Sequence, residues 1–351
     1  MTPADNPVES QDSNRISSRN SNRISNEKWP LDGSTTYYAL RHWRDADVIR
    51  LRKTLTLSDT IGQCLLEVKE PSVAEKKIHW WHEELERLFK AEPRHPASQA
   101  YKPVFETLSP ASKQLAGQCL LAVLSSHSDE RFKNAETDDE FQQRLIRNYR
   151  ARIVLAALVC SDRQATQAVN TFTIKQPTTD SLDPLATGLA LVHRLANFHS
   201  LFYAGMPVWP DSLYEAYQLT PDQLSRDNPS DAQFKMQAHI VDQALANLSA
   251  ADQLFLQTQQ AWQAKTNERS THPPPPGLDD SSMLHITRSQ DASQALAIYV
   301  AIRRKQLLLW RDKKTNLLEH YRGLTPLRKA WITWRSSHAF KQTMSRNNTD
   351  K

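Results

Sequence analysis

Glycine is scarce in this chain, with 7 in 351 residues, and none is arranged as a phosphate-cradling loop. That excludes Rossmann and P-loop chemistry and argues against a turn-rich β architecture. Cysteine is also sparse. Cys64, Cys119 and Cys160 are far apart and odd in number, which leaves neither a disulfide framework nor a CxxC metal site and reads as reduced, mostly buried thiols. No apolar run approaches the roughly 20 residues needed to cross a bilayer. Residues 1–30 lack the apolar core of a signal peptide, so the expectation is a cytoplasmic protein. Strand-like alternation is nearly absent. What remains is helical periodicity over a chain long enough for one large all-α domain.

Acidic residues are few at one end. Residues 301–351 hold 13 Lys and Arg against 3 Asp and Glu, within a chain of net charge +5. A basic C-terminal region can meet anionic lipid, a diphosphate, nucleic acid or an acidic partner, or be a solvated helix face. No nucleic-acid recognition module accompanies it, and nucleic acid is not expected as a partner.

Residues 1–34 are rich in Ser, Asn, Asp and Arg, with "SNRIS" at Ser13–Ser17 repeated at Ser21–Ser25. Such a segment buries too little apolar surface to offset its ordering entropy and reads as a disordered tail. Helical patterning starts at Thr36 and is stopped by Pro71, with Leu40, Val48, Leu51, Leu55, Ile61, Leu65 and Val68 apolar. The next helix carries an inward stripe of Val73, Ile78, Trp81, Leu85 and Leu88. Thr137 and Glu140 form a capping-box signature before "DDEFQQRLIRNYRARIVLAALVC", whose apolar end marks a central helix. Asp183 and Pro184 open another buried helix. Two helices follow over residues 229–265, then a proline-rich loop at 269–281. A last long helix spans Ala292–Tyr321, with Leu296, Tyr299, Val300, Leu307, Trp310, Leu317 and Tyr321 facing in. The ordered domain is 35–340, with a flexible tail at 341–351.

The stretch "KKIHWWHEELERLFKAEPRHP" (Lys76–Pro96) poses a choice. His79, His82 and Glu83 stand at i, i+3 and i+4, a spacing that places three possible metal ligands near one helix face. No second ligand cluster supports that reading, and the same helix is already required for packing. No metal is expected there.

This segment resembles one in the squalene/phytoene synthase family, which runs Lys-x-x-Trp-Trp-x-x-Glu-Leu and then Pro-x-His-Pro. Three further stretches resemble the family in the same order: "YYALRHW" the opening Tyr-rich helix, "AGMPVWPDSLYEAYQLTPDQL" (Ala204–Leu224) the Gly-Arg-x-Tyr-Leu-Pro segment, and "GLTPLRKAWITWRSS" (Gly323–Ser337) the C-terminal Trp-x-x-Trp-Arg ending. The resemblance covers most of residues 36–337. It implies an all-α type I isoprenoid (terpenoid) synthase fold, a helical bundle around a central apolar cavity. It also implies an activity, the head-to-head joining of two prenyl diphosphates held through Mg²⁺ by two aspartate-rich motifs. Mg²⁺ requires hard oxygen ligands, and the departing diphosphate carries charge that metal and basic side chains must neutralise.

Both motifs are missing. The first should fall on Gly62–Glu67, where "GQCLLE" leaves Glu67 as the only carboxylate; Asp59 is two turns away. The second should follow "HRLAN" (His193–Asn197), yet no carboxylate precedes Asp211. Other acid pairs have ordinary explanations. Asp45 and Asp47 point to different helix faces, Asp138 and Asp139 lie in a helix first turn, and Asp279 and Asp280 follow the proline loop.

The expectation is therefore a degenerate member of the family, a pseudoenzyme that keeps the fold and binds a prenyl diphosphate, another isoprenoid lipid or a protein partner. An assembly or scaffold role is one form of this, as in the mitochondrial complex I assembly factor of the same fold. Peripheral membrane contact would run through the basic C-terminal region. The alternative is an active prenyltransferase with unusual ligands, the one case in which Mg²⁺ would be needed. Gln63, Glu67, Tyr149, His193, Arg194 and Asn197 would then line the cavity mouth, with Arg303 neutralising diphosphate. Each has a plainer role available: Tyr149 and Asn197 as hydrogen-bonding partners between helices, Arg303 as a side chain snorkelling to solvent.

Overall fold

A computed structural model describes residues 34–41, 45–66, 68, 70–133, 135, 137–160, 182–224, 227–250, 280–312, 316–318 and 324–349. The expected N-terminal tail up to residue 33, most of the proline-rich loop, Glu67 and Tyr321 lie outside them. Among the described residues every regular element is a helix. In chain order they are α1 (Thr35–Leu40), α2 (Asp45–Leu66), α3 (Pro71–Phe89), α4 (Pro96–Glu106), α5 (Pro110–Phe132) and α6 (Asp138–Cys160). They continue as α7 (Leu182–Ala196), α8 (Phe198–Tyr203), α9 (Asp211–Ala216), α10 (residues 231–250), α11 (Asp280–Asp312) and α12 (Pro326–Thr349).

Local chemistry sets most starts. Helices α3, α4 and α5 each open on proline, whose missing N–H is not needed at that position and whose φ is already helical. Ser109 caps α5 by accepting from Ser112 N–H at 3.2 Å, and Thr137 caps α6 by accepting from Glu140 N–H at 3.2 Å. Four boundaries differ from the sequence expectation, one being the start of α11 at Asp280 rather than Ala292. Helix α7 begins at Leu182, so Asp183 sits inside the first turn rather than at the cap, 3.5 Å from Arg150. Helix α11 ends at Asp312, before Leu317. There the Gln237 side chain from α10 accepts from Leu317 N–H at 3.5 Å and Asn316 accepts from Leu318 N–H at 3.1 Å, so those amides leave the helical ladder. Helix α12 runs on to Thr349 through residues assigned to a tail, because no glycine or proline interrupts it.

Helix α6 is central, as its apolar end implies. Ala151, Val154, Leu155 and Leu158 pack into a core with α2–α5, around Leu57, Ile61, Leu85 and Leu120. Phe141 and Leu145 pack into a second core built from α7, α8, α10 and α11, around Leu189, Phe198, Trp209 and Leu307. Between those two faces α6 carries Asn148, Tyr149 and Arg152, a polar stripe directed into the protein.

The corner between α3 and α4 explains the paired tryptophans. Trp81 is buried, and its ring centroid lies 4.8 Å from that of His95. The His95 Nδ1 accepts from Ala97 N–H at 3.1 Å, which caps α4 and keeps the ring proton on Nε2. Glu84, fully inaccessible, accepts from Arg94 N–H and His95 N–H at 2.9 and 2.7 Å and from Arg87 Nε at 3.0 Å. Burial works to raise the Glu84 carboxyl, but these donors outweigh it and hold it below its usual range. Of the predicted inward stripe, Trp81, Leu85 and Leu88 are buried and Ile78 partly so, while Val73 is exposed in the first turn of α3.

Two substitutions test this packing. Glu84→Ala strands three donors and is expected to cost about 3 kcal/mol in a urea titration, with Glu84→Gln, which keeps an acceptor, costing less than half of that. Gly188 lies where α7 meets α10; a Cβ there would come within 2.7 Å of Leu248 Cδ2 and 3.1 Å of its backbone nitrogen. Gly188→Ala must push the helices apart and should lower stability by about 1–3 kcal/mol by the same measurement.

Candidate functional site

Five helices bring polar side chains to one interior region. Helix α6 supplies Asn148, Tyr149 and Arg152; α5 supplies His127 and Glu130; α2 supplies Ser58, Asp59 and Gly62; α7 supplies His193 and Arg194; and α11 supplies Tyr299, Arg303 and Gln306.

Arg152 is the hub. Its guanidinium forms an ion pair with Asp59, donates to Ser58 O at 3.2 Å through Nη2, and donates to Asn148 Oδ1 at 3.1 Å through Nε. Nη2 also faces His127 Nε2 at 3.2 Å, and Asn148 Nδ2 faces the same nitrogen at 3.4 Å. With two donors aimed at it, Nε2 is the accepting nitrogen. The ring proton then sits on Nδ1, which faces Glu130 Oε2 at 3.5 Å. Glu130 in turn lies 3.4 Å from Arg194. Burial acts to raise the Glu130 carboxyl, but Arg194, then His127 and His193, hold it down at about 2. The chain Asp59–Arg152–His127–Glu130–Arg194 is thus continuous across α2, α6, α5 and α7.

Tyr149 and His193 face each other beside this chain, ring centroids 5.8 Å apart, with the Arg152 guanidinium 5.8 Å from the Tyr149 ring. Burial raises the Tyr149 phenol well above its ordinary value. Burial likewise pushes the His193 imidazole down to about 3, with Arg152, Arg303 and His127 adding repulsion and Glu130 opposing them. His193 nevertheless keeps exposed surface. Arg303 is half-buried, not snorkelling: Nε and Nη2 donate to Tyr299 Oη at 3.2 and 3.0 Å, and Nη1 donates to Gln306 Oε1 at 3.0 Å.

The candidates named from the sequence thus divide. Tyr149, His193 and Arg303 come together. Arg194 turns to the loop after α8, donating to Val208 O at 2.8 Å and Pro207 O at 2.6 Å, with its guanidinium 5.1 Å from the Phe141 ring. Asn197 marks the break between α7 and α8, its side chain donating to His193 O at 2.9 Å. Gln63 is exposed, and Glu67 lies outside the described residues. Sequence reasoning passed over His127, Glu130 and Arg152. The available signals were an acid three residues after a histidine at the end of an apolar helix, and an arginine one turn beyond Tyr149 in the most apolar stretch of the chain.

These residues do not fit Mg²⁺. A Cβ on Gly62 would lie 2.7 Å from His127 Nε2 and 3.3 Å from Arg152 Nη2, so the imidazole first, and the guanidinium beside it, fill the space next to this position. Asp59 and Glu130 are each committed to an arginine. Along the second motif position, α8 buries Phe198 and Leu201. His79, His82 and Glu83 lie on the exposed face of α3, with His79 Nε2 3.2 Å from Glu83 Oε1. Among the described residues no cluster of three His, Cys, Asp or Glu could hold a metal. None of their helices is long and apolar enough to cross a membrane.

The buried ionisable groups tie stability to pH. Glu130 and His193 both have folded values below their unfolded ones, so the unfolded chain binds more protons at acid pH. Their stabilisation is full above about pH 6.5 and is lost as the pH falls towards about 3 for His193 and about 2 for Glu130. Between pH 6.5 and 5 a histidine of this kind adds a slope of the same sign, reduced by solvent screening of its exposed surface. Urea midpoints across this range should fall for the wild type. They should fall less for His193→Asn, with His95, also lowered by burial, supplying the remaining slope.

No family model and no curated protein matches the chain. Its structure is similar to the crystal structure of a dehydrosqualene synthase in complex with ligand, with a TM-score of 0.61 over 94% of this chain and 96% of that one, at 13% identity. At that identity the likeness shows the fold alone: the chain has the all-α helical fold of terpenoid synthases.

Proposed function

We propose that the chain is a squalene/phytoene synthase-like protein of isoprenoid metabolism that no longer carries out Mg²⁺-dependent condensation and uses the interior of the fold to bind a prenyl lipid with an anionic head. The observation that carries this reading is the contact of Arg152 and His127 with Gly62. The position at which the resemblance calls for a metal-binding acid is occupied by donor groups. Arg303 and the protonated Tyr149 phenol face this region as donors for phosphate oxygens, while Arg152, whose own donors are held by Asp59, Ser58 O, Asn148 and His127, stands behind them. His193, uncharged at neutral pH, donates through one nitrogen only. Ile153, Leu296 and Tyr299, partly buried against the core, supply apolar surface for an isoprenoid chain.

A fixed cation at Gly62 also opposes a divalent metal by direct repulsion. The arginines alone could neutralise a leaving diphosphate, which keeps a prenyltransferase with non-standard ligands as the competing reading.

The test is incubation of the purified full-length protein with farnesyl or geranylgeranyl diphosphate, with Mg²⁺ and with chelator, following the thermal midpoint, diphosphate release and hydrocarbon product. Expected is stabilisation that survives chelation, about 2.7 kcal/mol at a ligand concentration 100 times Kd, weakened by Arg303→Gln and without diphosphate release. Release abolished by chelation would instead establish the active enzyme. No stabilisation by any prenyl lipid would turn the assignment to a protein partner, as in an assembly role.

A further inference from the structure

Helix α12 has one face buried and, among the described residues, one face exposed. Ile332, Thr333 and Ser337 pack inward against α11 and α1: Ile332 joins Tyr38, Ile298 and Ile302, and Gln294 Nε2 donates to Ser337 Oγ at 2.9 Å. The opposite face carries Leu327, Trp331 and Trp334, with 84%, 51% and 62% of their surfaces exposed. Their spacing of four and then three residues lines them up as one stripe along the helix. The Arg335 guanidinium lies 5.3 Å from the Trp331 ring, and exposed Arg328 flanks Leu327. From Pro326 to Thr349 the helix has five Lys and Arg (Arg328, Lys329, Arg335, Lys341, Arg346) and no Asp or Glu.

We infer that this face of α12 is a docking surface for an anionic lipid bilayer, with Leu327, Trp331 and Trp334 entering the headgroup region and the arginines beside them meeting lipid phosphates. The physical chemistry favours this occupant over others. Indole rings are stable at the boundary of apolar and wet layers, and a basic amphipathic helix lying in the interface plane is attracted by anionic headgroups. An isologous contact with a second copy would set two acid-free basic faces against each other, which costs energy. A nucleic-acid strand is held in a concave basic track, whereas these rings project from a convex helix. The contact is peripheral, and it does not depend on what fills the interior of the fold.

Co-sedimentation of the full-length protein with vesicles of phosphatidylcholine, alone and mixed with phosphatidylglycerol, tests the proposal. The protein should partition onto the anionic vesicles and be released by about 1 M salt, where the screening length falls to about 3 Å. Arg328→Gln/Arg335→Gln should reduce partitioning about 25-fold, some fivefold per charge, and Trp331→Ala/Trp334→Ala about tenfold. All four side chains are exposed, so circular dichroism and thermal midpoint should match the wild type. Lys76→Gln/Lys90→Gln, on the exposed surface of the α3 region, should leave binding intact. Equal partitioning onto neutral and anionic vesicles, or unchanged partitioning of either α12 variant, would overturn the proposal. A dimer that Trp331→Ala/Trp334→Ala dissociates would reassign the face to a second copy, and salt-sensitive oligonucleotide binding lost in the same variant would reassign it to nucleic acid.

Discussion

The interior of this protein depends on one largely desolvated cation, Arg152. The Arg152 guanidinium sits where α2, α5 and α6 converge and is held by Asp59, Ser58 O and Asn148. Removing a guanidinium from water costs several kcal/mol unless its charge and its donors are matched. The sequence around it follows from that demand. Asp59 supplies the opposite charge, His127 accepts from the remaining edge, and Glu130 receives the His127 proton side while pairing with Arg194. Arg194 then ties in the loop after α8 through two carbonyls. Each group is held by the next, so the network ties four helices together.

The same network decides which chemistry the interior can perform. Carboxylates that would hold a metal must be ionised and free to direct their oxygens at it. Asp59 and Glu130 already face guanidinium groups, and a Cβ at position 62 would meet the His127 and Arg152 side chains. The arginines are likewise held by protein, Arg152 by Asp59 and Arg194 by Glu130. His193 adds a donor without adding charge, because burial and three neighbouring cationic or donor groups keep its imidazole unprotonated.

A second, independent constraint holds the periphery. Glu84 collects the orphan amides of the turn between α3 and α4, and Trp81 stacks on the histidine that caps α4. The paired tryptophans therefore serve different surroundings. Trp81 closes a corner of the core. Trp80 remains half-exposed, with the Arg87 guanidinium 5.6 Å from its ring.

Helix class, the centrality of α6 and its start at the Thr137 cap were legible in the sequence because they follow from local rules, apolar period and a capping hydroxyl. The lack of acids at Gly62–Glu67 and after Asn197 was equally plain, being a matter of residue identity. Helix ends were less legible. Leu317 leaves the helical ladder because Gln237, 80 residues away, receives its amide, and no local signal announces such a partner. The site was only partly visible for the same reason. Tyr149, His193 and Arg303 could be named from their places on apolar helices. That Arg152 joins Asp59 across 93 residues and His127 across 25, while Arg194 is buried between Glu130 and the loop after α8, was decided by how the helices pack. A side chain's charge is written in the sequence, but what compensates it depends on which helices are neighbours.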